Sequence, residues 1–455
     1  TTCDHDSIVG VYMNLLTYNG LMRVDHETLE VVPDLAESYE MKSDTEYVFK
    51  LREDACFWDG TPVTAQDVKF SLDRAKGMPK TKSNTSKIEE VTVNGDHEVT
   101  IKLTEPYAAF KTIVTQHNLS ILSEKAVTEA GDSYDNLLGS GPFKVTEWVP
   151  NDHYTLVRND NYWGEMPIAT SITCRVIPEG SARTIALEAG EIDVVWSVDP
   201  TDCANVESNP DVKLLSQQST GIDYVGMNTQ KEKFSDKRVR QAINYALDKQ
   251  TFVDTIIEGR GLVANSYINA AIPGWTDEVE AYPYDPEKAK ELLAEAGYPD
   301  GFECSIFVNG DLRTRSAQIL QAQLADVGIK VDISTYEWGA LLDTLNAGEH
   351  EMFLLGWSNT SFDPDGSTYQ LFYSGNHGAT GNRAFFSNDK VDELILSAQR
   401  ESEESKRMEL YKELQFVLHD ESPWCPLYYK ENNVGVRADL KGFTLHAGAQ
   451  HYLGN

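Results

Sequence analysis

The sequence predicts an α/β protein built as two lobes of similar construction. Strands and helices alternate through the second half of the chain, as they do in an α/β layer. A short unit, in which a helix is stopped by Gly-Glu and followed by a strand with a Trp near its end, occurs twice, as ALEAGEIDVVWSV and as TLNAGEHEMFLLGW. A chain of 455 residues is long enough for two or three domains with substantial cores.

Composition narrows the function. Hydrophobic residues at 41% and 17 prolines fit a globular chain. No apolar run approaches the roughly 18 residues of a membrane span. The abrupt start at Thr1-Thr2-Cys3 reads as a trimmed mature segment. A net charge of −33 argues against nucleic acid as a partner, since its phosphates need Lys and Arg opposite them. The six cysteines (Cys3, Cys56, Cys174, Cys203, Cys304, Cys425) have no metal spacing and allow fifteen pairings, so no disulfide can be named. There is no HExxH, no Walker loop and no GxGxxG before a helix. Gly139-Ser140-Gly141-Pro142 lacks the G-x-S-x-G of a nucleophile elbow, and a strand follows it, not a helix. The chain reads as no enzyme, with no cofactor and no metal.

The elements follow in order. Val11–Met22 reads as an apolar helix or strand end. Tyr47, Phe49 and Leu51 alternate with polar or smaller residues at strand period, and Asp59-Gly60 makes a turn. Thr64 and Asp67 form a capping box before a helix whose Val68, Leu72 and Ala75 share a face. Lys87–Leu103 is a hairpin turning at Asn94-Gly95. Phe143–Trp148 is a strand, Ser181–Ala189 a helix ended by Gly190, and Ile192–Val198 a strand carrying Trp196. Val225–Asn228 is a strand, and Ser235 caps a helix running to Lys249. Asp285-Pro286 opens the helix Glu287–Ala296. Cys304–Val308 and Ile329–Thr335 are strands around the helix Ser316–Val327. Leu341–Ala347 is a helix, Gly348 ends it, and Met352–Leu355 is a strand leading to Gly356-Trp357. Val391–Leu418 is an exposed helical pair.

Several strings carry a resemblance. LAESYE at 35–40, the stretch EYVFKLREDACFWDGTPVTAQDVKFSLDRAK at 46–76, GSGPF with Trp148, Arg158, Asn159 and Tyr162-Trp163-Gly164, and DKRVRQAINYALD at 236–248 resemble the extracytoplasmic solute-binding proteins of ABC importers, family 5 (peptide/nickel/oligopeptide-binding, cluster C). The resemblance runs from about Leu35 to Phe443. It implies a two-lobed periplasmic-binding-protein fold (type II) with an extra subdomain inserted in the first lobe. The first lobe is then 1–34, 145–228 and 437–455, the inserted subdomain 35–144, and the second lobe 229–436. The chain crosses between lobes near 228 and returns at Asn432–Arg437. The strand with which family members usually begin is absent ahead of Val11.

The resemblance also implies a site between the lobes. Its candidates are Tyr18, Ser140, Trp196, Arg313, Trp357, Asn359, Thr360, Asp363 and Arg383. Dipeptide-binding members carry an Asp for the peptide's α-ammonium where this chain has Thr360, with Asp363 as a substitute at best. Arg313 or Arg383 would meet a ligand carboxylate, since the planar guanidinium fork matches it. The ligand is a peptide-like or other small polar solute. A metal chelate would need His117, His350 or His377, and an oligosaccharide would stack on Tyr18, Trp196 and Trp357. The implied partner is the membrane permease of the importer. The implied state is a monomer, periplasmic or lipid-anchored on the outer face of the membrane.

Overall fold

Two long antiparallel strands, Val212–Met227 and Trp424–Arg437, form the spine of the molecule. The computed structural model describes residues 8–25, 28–130, 138–448 and 452–453. We call the two strands outgoing and return. Their ladder runs from Val212 opposite Arg437 to Gly226 opposite Trp424, with a small slip between Asp223 and Tyr224 and a larger one near its middle. There Gln218 faces Glu431 and Ile222 faces Tyr429, leaving Ser219, Thr220 and Gly221 opposite Lys430 alone. Such a bulge bends the strand and interrupts its pairing.

Other strands join the spine at opposite ends. Val194–Val195 pairs with the return strand at Val436 and Gly435. At the other end Met352–Ser358 pairs with the outgoing strand, followed by Glu303–Val308 and then Lys330–Thr335. Gly261–Val263 pairs with the return strand. Hydrogen bonding is therefore continuous through seven strands, but only the spine is common to both ends.

The second-lobe end of this sheet is covered on both faces. One core holds Val225, Met227, Ile243, Leu320 and Leu354, under helices Lys237–Ala246 and Gly310–Ala325. The other holds Tyr224, Phe353, Leu355, Tyr411 and Trp424, under Trp338–Asn346 and Glu404–Glu421. Tyr224 stacks on Trp424 with ring centroids 3.4 Å apart. Residue parity along the outgoing strand decides which core each side chain enters.

The first half of the chain carries two smaller sheets. Phe143–Val149, His153–Arg158 and Ser171–Arg175 form one. Ala36–Ser43, Glu46–Leu51, Glu98–Leu103 and Ile88–Gly95, in that spatial order, form the other. The helix Ala65–Lys76 packs on the second sheet through Val68 and Leu72, and the Thr64 amide donates to the Asp67 carboxylate at 3.0 Å. This is the capping box expected from the sequence.

Some local expectations shift. The hairpin turns at Asp96-His97, because Gly95 at φ +154 extends its strand by a bulge to face Glu98. The cap of helix Lys237–Ala246 is Asp236, not Ser235, with its side chain accepting from the Arg238 amide. That helix breaks at Leu247, and Asp248 caps a second one, Lys249–Ile256. The strand expected over Ile192–Val198 is paired only at Val194–Val195. No helix among the described residues is long and apolar enough to cross a membrane. Cys56, Cys174, Cys203, Cys304 and Cys425 are free thiols, and Cys3 lies outside the described residues.

Candidate functional site

Strands Met352–Ser358, Glu303–Val308 and Lys330–Thr335 run parallel, so their carboxyl ends share one edge of the second lobe. The outgoing strand is antiparallel to the first of them and starts this lobe's ladder at Gly221, opposite Ser358. The bulge and the carboxyl ends therefore coincide. Ligands of α/β sheets collect at such an edge, because the loops leaving it are free to vary.

Trp357 stands there, opposite Ile222 and packed against the cluster of Ile222, Ala264 and Tyr429. Its indole Nε1 is buried and finds no hydrogen-bond partner among the described residues. Arg313 lies on the first turn of helix Gly310–Ala325, which leaves the same edge, and its Nη1 donates to Asn309 Oδ1 at 2.7 Å. Arg383 is placed elsewhere. Its Nε donates to Asn346 Oδ1 at 3.0 Å and its carbonyl meets His350 Nε2, at the amino end of strand Met352–Ser358.

The loop after Trp357 is largely committed to its own fold. Asn359 Nδ2 donates to the Asp363 carbonyl and to Ser367 Oγ, and its Oδ1 accepts from the Ser361 amide. Asp363 is gripped by both terminal nitrogens of Arg407, at 2.9 and 2.5 Å. The helix Asp365–Phe372 follows directly. Thr360 reaches outward instead, its hydroxyl donating to Gln116 Oε1 at 3.1 Å.

The remaining candidates make contacts of their own. Ser140 is fully buried and donates to Asn19 Oδ1 at 3.1 Å, while Asn19 Nδ2 donates to Asp34. Burial lifts the Asp34 carboxyl to about 6, although Asn19 opposes it. The flanking glycines have a packing reason: a Cβ on Gly139 would lie 1.9 Å from the Thr17 carbonyl oxygen. Tyr18 is buried, with its ring 6.0 Å from that of Trp58. Trp196 packs edge-on against Phe443 at 6.1 Å.

Residues 30–379 match the family described as bacterial extracellular solute-binding proteins, family 5 middle. The chain is 30% identical to the dipeptide-binding protein of Escherichia coli K12, over 96% of this chain and 88% of that one. It is 31% identical to heme-binding protein A of Haemophilus influenzae, over 94% and 84%. Its fold superposes with a TM-score of 0.92 on a periplasmic binding protein of Helicobacter pylori in complex with the peptide STSA, at 29% identity and over 100% and 95% of the two chains. This chain belongs to family 5. It is the solute-binding component of an ABC importer, with the type II periplasmic-binding-protein fold. Its relatives are transport proteins, and the family is extracellular by its description.

In this family 5 protein the two halves also meet away from the spine. The Tyr107 hydroxyl donates to Asp365 Oδ2 at 2.6 Å, and Gln399 Nε2 donates to Oδ1 at 2.9 Å. The Ala108 amide donates to the Gln399 carbonyl at 2.7 Å, Arg400 pairs with Glu105 at 2.6 Å, and Gln370 donates to Asn84 at 3.0 Å. Burial raises the Asp365 carboxyl to about 6, and neighbouring Asp363 adds to the rise. Sequence reasoning missed Tyr107, Gln116 and Asp365, whose partners are far away in the chain. It also missed Asp223, which has a visible signal: an ionisable residue inside the strand GIDYVGM.

Proposed function

We propose that the protein captures a peptide-like solute between its lobes and hands it to the membrane permease, acting as a monomer, periplasmic or lipid-anchored, outside the cytoplasmic membrane. The first lobe is taken as 1–34, 145–228 and 437–455 with 35–144 inserted, and the second as 229–436. The bulge at Ser219–Gly221 supports a hinge there, since a few residues of two crossing strands then absorb the rotation. Trp357 offers a stacking face, and Arg313 is the candidate partner for a carboxylate, preferred over Arg383 because it stands at the carboxyl-end edge.

The observation that carries the ligand reading is the state of loop 359–363. A hydroxyl, bonded to Gln116, occupies the place of the expected ammonium-binding carboxylate, and Asp363 is already paired with Arg407. An ammonium buried without a counter-charge is costly. Simple dipeptides, whose ammonium would fall at this loop, are therefore poor ligands, and longer peptides better ones. Of the three histidines a metal chelate would need, His350 is buried on the Arg383 carbonyl and His377 bonds the Phe386 carbonyl, so two of them are already engaged within the fold.

Native mass spectrometry of protein purified without refolding, followed by calorimetry with dipeptides and tetrapeptides, tests this. Retained cargo of peptide mass, and tetrapeptides binding at least about tenfold tighter than dipeptides, are expected. Micromolar binding of a free dipeptide, lost on Asp363→Asn and kept on Thr360→Ala, overturns the reading of the loop.

A further inference from the structure

The outgoing strand carries one side chain that the fold does not explain. Asp223 is 4% exposed, between Ile222 and Tyr224 of two apolar cores. A buried carboxylate ordinarily accepts several hydrogen bonds, because its lost hydration must be replaced. Asp223 has little of this. Its Oδ2 is buried, and among the described residues no donor is aligned on it. The Lys430 ammonium lies 3.1 Å away on a side chain that is 38% exposed, a pairing that water and chain entropy weaken.

Its neighbours on the sheet include two glycines. Asp223 faces Gly356 across one ladder and Tyr428 across the other. A Cβ on Gly356 would stand 3.1–3.2 Å from the Asp223 carboxylate, and one on Gly221 would stand 3.2 Å from Lys430 Cε and 3.4 Å from Ser358 Oγ. The absence of side chains at these two positions leaves room against the carboxylate at the carboxyl-end edge. Arg313 belongs to the same neighbourhood. Burial pushes the Tyr428 phenol well above its usual range, Asp223 pushes it further, and Arg313 pulls it back.

We propose that Asp223 is the subsite for a cationic group of the solute, a primary ammonium, which displaces Lys430 from it. This deepens the peptide-like reading, on which the choice of a peptide rests: the counter-charge missing at Thr360 is supplied from the hinge strand. The flexible Lys430 stem swings outward when the ligand's ammonium takes its place, so the exchange keeps the carboxylate paired throughout. A zwitterion then lies between Asp223 and Arg313.

The test is calorimetry on the full chain and on Asp223→Asn and Lys430→Met, with trialanine, N-acetyl-trialanine and cadaverine as probes. Circular dichroism confirms that the variants fold. Asp223→Asn is expected to weaken trialanine about tenfold or more while leaving the acetylated peptide within about twofold. Lys430→Met, which frees the carboxylate, is expected to tighten trialanine; a merely structural ion pair would not produce opposite signs. Equal binding of the free and acetylated peptides by the natural chain, or a preference that survives Asp223→Asn, overturns the assignment. Cadaverine binding that depends on Asp223, with no binding of either peptide, keeps the subsite and overturns the peptide reading. Failure of both amine-bearing probes to bind overturns the subsite, and binding of the acetylated peptide in that case leaves the peptide reading standing.

Discussion

The two helix–glycine–strand units begin alike and end differently. In the first, Gly190 at φ +71 closes the helix Gly180–Glu188. Its amide donates to the Leu187 carbonyl, and the Glu191 amide to that of Ala186. In the second, Gly348 at φ +70 closes Trp338–Asn346 with the equivalent pair, Gly348 to Leu345 and Glu349 to Thr344. Both are Schellman motifs, which need a left-handed residue after the helix and so favour glycine. Beyond them the units part. Val194–Val195 is a two-residue edge strand, whereas Met352–Ser358 lies between the outgoing strand and Glu303–Val308. A helix stop is a local event. The length of a strand, and what its tryptophan meets, are decided by the sheet it joins.

The largest test of this difference is in the core. Leu354→Ala, in the inner strand, is expected to cost about 2–5 kcal/mol, and Val195→Ala, at the edge, about 1–2 kcal/mol, by urea unfolding. Equal costs would mean that the two strands are equally embedded. The tryptophans come next. Trp357→Ala is expected to lower the affinity for a bound tetrapeptide about tenfold or more, and Trp196→Ala by less than about twofold, by calorimetry. Smallest are the glycines. Gly190→Ala is expected to cost about 1 kcal/mol, from backbone strain alone, since nothing stands within 4 Å of the new methyl group. Gly348→Ala should exceed it in the same thermal melt, because its methyl meets the Phe385 ring at 3.0–3.4 Å.

Much of the fold was legible because its signals lie close in sequence. Thr64 and Asp67 are three residues apart, Asp285 caps its helix through the Lys288 amide, and the two glycines stop theirs unaided. Where two polar residues adjoin, as at Ser235 and Asp236, pattern alone does not choose the cap. The edge that brings Trp357 together with Arg313, on the first turn of the long helix, was legible as a placement. Its loop was not, because the groups that occupy it come from elsewhere: Arg407 is 44 residues from Asp363, and Tyr107 is 258 from Asp365. Asp223 was hidden for another reason. Periodicity reports that a position is buried, not that its charge is poorly matched.

The bond from Tyr107 to Asp365 joins the two halves of the chain through a carboxyl lifted to about 6. In this contact the Asp365 carboxyl is held near 6 by burial and by Asp363, against the opposing pull of Tyr107, Arg407 and Gln399. Breaking this contact would readmit water to the carboxyl and so bring it down from about 6, with Asp363 and Gln399 remaining beside it. A form that keeps this contact is then expected to bind a proton more tightly than one that breaks it. Acidification through about pH 6 favours closure, and a rise above it favours opening. Small-angle scattering of the ligand-free protein from about pH 7.5 to about pH 5 should show compaction, and Asp365→Asn should abolish the trend. An importer working outside the cytoplasm meets whatever acidity its surroundings impose. Its receptor would hold its cargo longest in acid and yield it most readily where protons are scarce.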